Sequence, residues 1–536
     1  MTLSNPSADA PTLLPLSGRS PRFGGGSRAQ PEGRARLGGG IPLSFWIGLL
    51  CSGICLAGCS DEFEPHGDPA GAGGSGAGSS TGGSGGEGGQ GGSGGSTPAE
   101  CIPSEATDAV GANCGVFVSS SLGDDAGNDG SRDKPFATVK KALEKADAKR
   151  IYVCAEQTPL AEDVLVERAV ELYGGLDCGN GWVYDAQKPT RIATAAGLVP
   201  MRIQGVAGEV EVEDFDLAAA DAVDAGGSSV GMFVESASDV TLRRVNITAG
   251  TGKAGTDAVL VPFAYAPQTA LNGNPATPGM GGLEKTCVCG RGAAAPSIGG
   301  KGGDDVMDGQ DGEMGLPNHG GGAGGTVGMD CVPGLGKAGS PPAANGAAGP
   351  GAAASGSIDP ALGWVPEAGA PGVHGAPGQG GGGGASDDDG TGAGGGGGCG
   401  GCGGAGGPGG GGGGASIALL VRASNVTAQG GTWTAQAAGA GGSGIAGQQG
   451  QTDVGDGGDS QSGGCDGGSG ATGAAGGPGG GGAGGVSAAV VSQGTAPVID
   501  GTELVFEADV AAAGAGGTVS NAGAVGVSID SLELVD

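Results

Sequence analysis

The chain has 536 residues, 132 of them glycine, which brings no side chain to a core and loses the most backbone freedom on ordering. Apolar content is 37%, much of it alanine, and aromatics are 3%, so a core must come from short segments rich in Val, Ile, Leu and Phe. The formal charge of −32 repels phosphates and anionic headgroups and sets the chain against nucleic-acid binding.

Residues 1–58 carry Arg19, Arg22, Arg28, Arg34 and Arg36 against Asp9 and Glu32, so the remainder is more acidic still, near −35. The arginines precede an uncharged apolar run, Ile41–Gly58, the polarity of an export signal. The run ends in Leu56-Ala57-Gly58-Cys59. This resembles the lipobox of bacterial lipoproteins: a branched apolar residue, two small residues, then a cysteine that accepts lipid before cleavage. The resemblance implies a signal peptide over 1–58, lipidation at Cys59 and a membrane held through that lipid. The competing reading is an uncleaved membrane helix, for which eighteen residues sit at the lower limit. Ser60, where an aspartate would mark inner-membrane retention in such proteins, points the lipoprotein reading to the outer membrane of the cell envelope.

Residues 59–100 read as a tether, with Gly71–Gly95 nearly all Gly and Ser. The body follows as 101–250, an insertion 251–415, a short strand-rich unit 416–436, a second insertion 437–485 and a C-terminal unit 486–536. The segment from Gly115 reads as strand, acidic turn, helix, strand. Ser131 or Asp133 is expected to cap the helix, Pro135 to open it, and Phe136, Val139, Ala142, Leu143 and Ala146 to form its apolar face.

Lys134-Pro135-Phe136-Ala137-Thr138, the following helix and strand, and Leu172-Tyr173-Gly174-Gly175 resemble the start of pectin-lyase-like proteins. That resemblance implies an all-β chain: a right-handed parallel β-helix with an N-terminal capping helix and long Gly-rich insertions. An internal repeat supports it independently. Segment 229–250 resembles 416–436, with looser copies at 486–510 and 522–536, and such units bury their apolar sides only by stacking. A β-sandwich is the alternative fold.

The insertions lack a strict third-residue period through Gly380–Gly384 and Gly409–Gly414, which argues against collagen. Disorder with local turns is the expected state, and packed polyglycine-II helices stapled by cysteines the sharper alternative. Ten of thirteen cysteines follow Cys59, an even number that favours disulfides in an exported chain. Cys101 with Cys114 and Cys154 with Cys178 could each close a loop, but pairing does not follow from sequence. Cys399-Gly-Gly-Cys402, with Cys287 and Cys289, has zinc-like spacing, and disulfides are the favoured reading there too.

Among sites, Asp124, Asp125, Asn128 and Asp129 form an acidic turn that could hold calcium, as could Asp304, Asp305, Asp308 and Asp311. Solvated turns are the plainer reading of both. His66, His319 and His374 all lie outside strand-like segments, so a histidine base is not expected. Glu211, Glu213, Asp214 and Asp216 alternate with apolar residues and are expected on an outward face beside Arg243 and Arg244. Pectin-lyase-like enzymes use outward acids, calcium and an arginine base, so the resemblance allows a calcium-dependent polysaccharide lyase or hydrolase. The scarcity of aromatics, four Trp and four Tyr, favours a structural, adhesive or binding role toward polysaccharide or other cell-surface material.

Overall fold

The computed structural model describes residues 99–535 except 146, 148, 290–295, 314–319, 329–330 and 343. The signal, Cys59, His66 and all of the tether but Ala99 and Glu100 lie outside them. The chain divides into compact units 1–89 and 90–536, and all described residues belong to the second.

The described chain is all-β with three parallel sheets. Sheet A runs in the order Val116–Val118, Arg150–Cys154, Val170–Asp177, Glu209–Glu213, Asp239–Arg243, Val426–Gln429, Val498–Asp500, with Val183–Tyr184 antiparallel beside the third strand. Sheet B runs Val164–Val166, Met201–Gln204, Ser229–Glu235, Ser416–Arg422, Val486–Gln493, Val527–Leu534. Sheet C runs Thr190–Ala193, Phe215–Ala218, Asn246–Thr248, Thr432–Thr434, Glu503–Val505. From Met201 onward the chain visits B, A and C in that order and then returns to B. The parallel ladders do not fit an antiparallel sandwich.

The repeats seen in the sequence are successive circuits held in register: Val230 pairs with Ile417, Val240 with Val426 and Ile247 with Trp433. Short left-handed corners join the strands. Between B and A they are Gly205, Ser236, Ala423 and Gly494, and between A and C they include Asp214, Arg244 and Gly430. Side chains alternate across each strand, so one set fills the space between sheets: Val212, Phe215, Met232, Leu242, Ile247 and Trp433 are all essentially inaccessible. Burying each contributes roughly 1.5–3 kcal/mol.

The helix, α1 (Val139–Leu143), is shorter than expected and begins later. Its N-cap is Thr138, whose hydroxyl accepts from the Lys141 N–H, and not Ser131 or Asp133. Asp125 takes the N–H groups of Ala137 and Thr138, and Glu162 those of Val139 and Lys140, so Pro135 and Phe136 remain in the preceding extended segment. Val139 and Ala142 pack into the first circuits, while Ala146 lies outside the described residues.

The largest departure from expectation is the state of the insertions. Their described residues form legs tied to one another by regular backbone hydrogen bonds, legs that leave after a sheet C strand and return into sheet B. The leg 394–414 sits centrally. Gly395, Gly398, Gly401, Gly404, Gly407, Gly410 and Gly413 donate to carbonyls of Cys465, Gly468, Ala471, Ala474, Gly477, Gly480 and Ala483. Carbonyls of those same residues from Gly395 to Gly410 accept from Gly384, Gly381, Gly378, Gly375, Gly372 and Gly369. One residue further on, the carbonyls of Gly396, Cys399, Cys402, Ala405, Gly411 and Gly414 accept from Gly458, Gly455, Gln451, Gln448, Gly442 and Gly439. A third set, Gly394 and Gly397, donates to Gly303 and Gly300. Every neighbour is thus served at intervals of three residues, the period of a polyglycine-II helix.

Glycine is required because the legs touch through their backbones. A Cβ on Gly397 would overlap the carbonyl of Gly381, and one on Gly404 that of Gln448. Saturating the backbone in this way removes the reason for disorder, which is an unmatched cost of ordering.

The bundle also continues the stacked sheets. Outbound legs keep nearly the strands' offset, with Gly252 donating to Ala437, Gly255 to Ala440, and Gly441 to Ala512.

Candidate functional site

The acids expected on one face are divided, Glu211 and Glu213 on sheet A, Asp214 at the corner and Asp216 on sheet C, and the structure pairs them with cations. Arg150 binds Glu171 at 2.7 Å, and Arg243 binds Glu211 at 2.5 Å while reaching Gln429 at 2.8 Å. Arg244 binds Asp214 at 2.8 Å and also Glu213, and Arg191 binds Asp216 at 2.9 Å. Asp214 and Arg244 meet because both occupy the left-handed corner between sheets A and C in successive circuits.

Glu213 and Asp214 are buried, at 2% and 5% exposure, and do not lie on a solvated face. Glu213 is covered by the segment before the first strand, which is closed by Cys101–Cys114, and Asp214 is packed against Arg244 and Tyr184. Ser104 donates to Glu213 at 2.7 Å, the Val110 N–H to the Trp182 carbonyl, and Tyr152 to the Cys101 carbonyl at 2.7 Å. Beneath it Phe117, Tyr152 and Tyr173 stack one above another with centroids 5.1 and 5.5 Å apart, and Trp182 meets Phe117 edge-on. Sequence reasoning missed this ladder, although the interval from Tyr152 to Tyr173, about one circuit, carried the signal.

Burial sets the protonation of these groups. It raises the Glu213 carboxyl against the opposing pull of Ser104 and Arg244. It pushes the Tyr184 phenol up to about 12, with the Asp214 charge adding to the effect. Tyr152 and Tyr173 also rise, chiefly by burial. The phenols therefore stay protonated and donate, Tyr173 to Glu171 at 2.9 Å.

Arg244→Met should cost about 2 kcal/mol at neutral pH, below the range for a fully buried pair because Arg244 is 44% exposed. Glu213 already has a raised folded-state pKa, so its favourable contribution is complete below the unfolded carboxyl range and lost as pH rises through the folded value. Removing Arg244 raises that value further. The loss, measured by urea unfolding, should therefore shrink toward pH 4, and an equal loss at both pH values would contradict this assignment.

No family model, curated protein or solved structure matches this chain.

In the first acidic turn, Asp124 accepts from the Ala126 N–H, Asp129 from the Ser131 N–H, and Asp125 caps α1, while Asn128 donates to the Pro135 carbonyl. These oxygens shape the turn and the helix start. In the second, Asp308 and Asp311 hold the N–H groups of Val327 and Gly324, and Asp304 pairs with Lys301. Asp305 stands in the left-handed region. Asp308 and Asp311, with Asp304 through the Gly281 N–H, tie neighbouring segments together. Among the described residues, the one trio of metal-type ligands within 4.8 Å is Cys154, Glu156 and Cys178, whose sulfurs are already joined.

The zinc-like cysteines are disulfides, Cys287–Cys399 and Cys289–Cys402, and Cys331–Cys465 is a third staple between legs. His374 accepts from the Gly406 N–H through Nδ1 and meets Phe263 edge-on, a structural role. His319 lies outside the described residues.

Proposed function

We propose that the chain is a lipid-anchored protein of the cell envelope, held at the outer membrane through Cys59, with a structural, adhesive or binding role. We read its body as a right-handed parallel β-helix capped by α1. The repeated B–A–C order and the strong right-handed preference of parallel crossovers support that reading.

The observation that carries the proposal is that all ten cysteines after Cys59 are joined in five disulfides, the usage of an oxidising compartment outside the cytosol. The lipobox resemblance at Leu56–Cys59 accounts for how the chain arrives there. A polysaccharide lyase finds less support. Arg243 and Arg244 each hold a carboxylate, so neither is poised as a base, and the chain's own segment 101–114 covers Glu213.

Radiolabelled palmitate should enter the wild-type chain and be absent from Cys59→Ala. Recovery of a mature N-terminus other than Cys59, or label that persists in Cys59→Ala, would overturn the anchor.

A further inference from the structure

The two ends of the stacked circuits are finished differently. At the capping end the chain covers its own edges. Phe136 exchanges backbone hydrogen bonds with Phe117 and Ser119 beyond the first strand of sheet A, Leu160 does so with Arg191 and Ala193 beyond the first strand of sheet C, and α1 packs over the core. At the far end the last circuit is incomplete among the described residues. Sheet B gains Val527–Leu534, but sheets A and C stop one rung lower, at Val498–Asp500 and Glu503–Val505, with no strand paired to their outer edges. The result is a notch one strand deep. Its floor includes Ile499 and Leu504, which pack on the core and stay partly exposed, and its wall is the inner side of Val527–Leu534.

That wall is polar. Val234, Val421, Ser492 and Glu533 are successive partners along sheet B, and the two valines lie in the core, so Ser492 and Glu533 face inward as well. The Ser492 hydroxyl is buried, at 1% exposure, and has no hydrogen-bond partner. A buried hydroxyl left unmatched is a cost that an incoming polar group removes. Glu533 lines a cavity of about 410 Å³ with Gly494, Leu534 and Val535. Gly494 is the corner from sheet B to sheet A, so the cavity adjoins the open edge of sheet A.

Charge identifies what fits. No Lys, Arg or His occurs from residue 423 to residue 536. Asp500, Glu503, Glu507, Asp509, Asp530 and Glu533 form no ion pair among the described residues. Arg422, two strands beneath Leu534, is taken by Glu235. A second copy offering the same end would be repelled.

We propose that the notch docks an extended, lysine- or arginine-bearing segment of a partner protein, which adds a strand to sheet A above Val498–Asp500 and sets a cation against Glu533. Backbone pairing to a free edge holds the strand, and countercharge selects it. This narrows the proposed binding role to one partner class and does not depend on the lipid anchor.

Fluorescence anisotropy of a labelled alternating Lys–Val peptide, titrated with the full chain carrying Cys59→Ala, tests this. The peptide should bind, Glu533→Gln should weaken binding about tenfold or more, and Glu105→Gln, at an exposed acid of the segment 101–114, should not. Ser492→Ala should also weaken binding while leaving the free chain no less stable to urea, the opposite of a hydroxyl that serves the fold. An alternating Lys–Pro peptide keeps the charge but cannot donate at alternate residues, and should bind about tenfold more weakly. Equal binding of the two peptides, or unchanged affinity in Glu533→Gln, would overturn the proposal, because the acids would then attract cations without a site. So would self-association of the unliganded chain that Glu533→Gln abolishes, which would assign the notch to a second copy.

Discussion

Gly397→Val should destabilise the bundle by about 3 kcal/mol or more, at the upper end for overpacking. The added Cβ meets the carbonyl of Gly381 and the N–H side of Gly300, both fixed backbone, so no side chain can swing aside. The residue's own N–H bond to Gly300 would be lost as the legs separate. Gly404→Val should behave alike, through Gln448. Ala446→Val, on the exposed rim, should change stability by less than about 0.5 kcal/mol. Urea unfolding of the three variants checks the contrast. Equal, small effects would mean that the legs are not in backbone contact.

Removing the three bundle disulfides should have the other large effect. Cys287–Cys399, Cys289–Cys402 and Cys331–Cys465 close separations of 112, 113 and 134 residues, and loop entropy assigns about 5 kcal/mol to a single closure of that size. The first two are adjacent and share most of their loop, so their contributions do not add. Cys101–Cys114 and Cys154–Cys178 close separations of only 13 and 24 and belong to the sheet A surface. Reduction should therefore open the bundle to proteolysis within 259–415 while the stacked circuits persist. Cleavage appearing first within 150–250 would contradict this order of stability.

The circuits were legible because their apolar runs repeat with recognisable corners. Ser416–Arg422 reads as a copy of Ser229–Glu235, and the two strands are paired residue for residue. The bundle was harder to read because collagen's rule of one glycine in three applies to three chains around one axis. Here a leg keeps glycine where a neighbouring backbone comes too close for a Cβ, as at Gly403 beside Gly375 and Gly404 beside Gln448. The central leg keeps two per turn, leaving Cys399, Cys402, Ala405 and Pro408 at every third place. The leg 369–378 keeps one, at Gly369, Gly372, Gly375 and Gly378. The period is carried by the spacing of the exceptions, Cys399, Cys402, Ala405 and Pro408.

The neighbourhood of the acids with Arg243 and Arg244 was legible, but the corner at Asp214 that divides them between two sheets was not. The burial of Glu213 was not legible, because the covering contact from Ser104 to Glu213 spans 109 residues and leaves no local pattern. Zinc-like spacing at Cys399 and Cys402 likewise reflects a leg with three residues per turn, which brings both thiols to one side facing Cys287 and Cys289.

Amide hydrogen exchange across 394–414 in the oxidised full chain tests the account most directly. The N–H groups of Gly395, Gly398, Gly401, Gly404, Gly407, Gly410 and Gly413, which donate to the leg 465–483, should exchange as slowly as the strand Ser416–Arg422 that follows them. Exchange of the whole segment at the rate of an unstructured peptide, with the strand still protected, would show that the insertion is a loose loop and that the bundle does not exist.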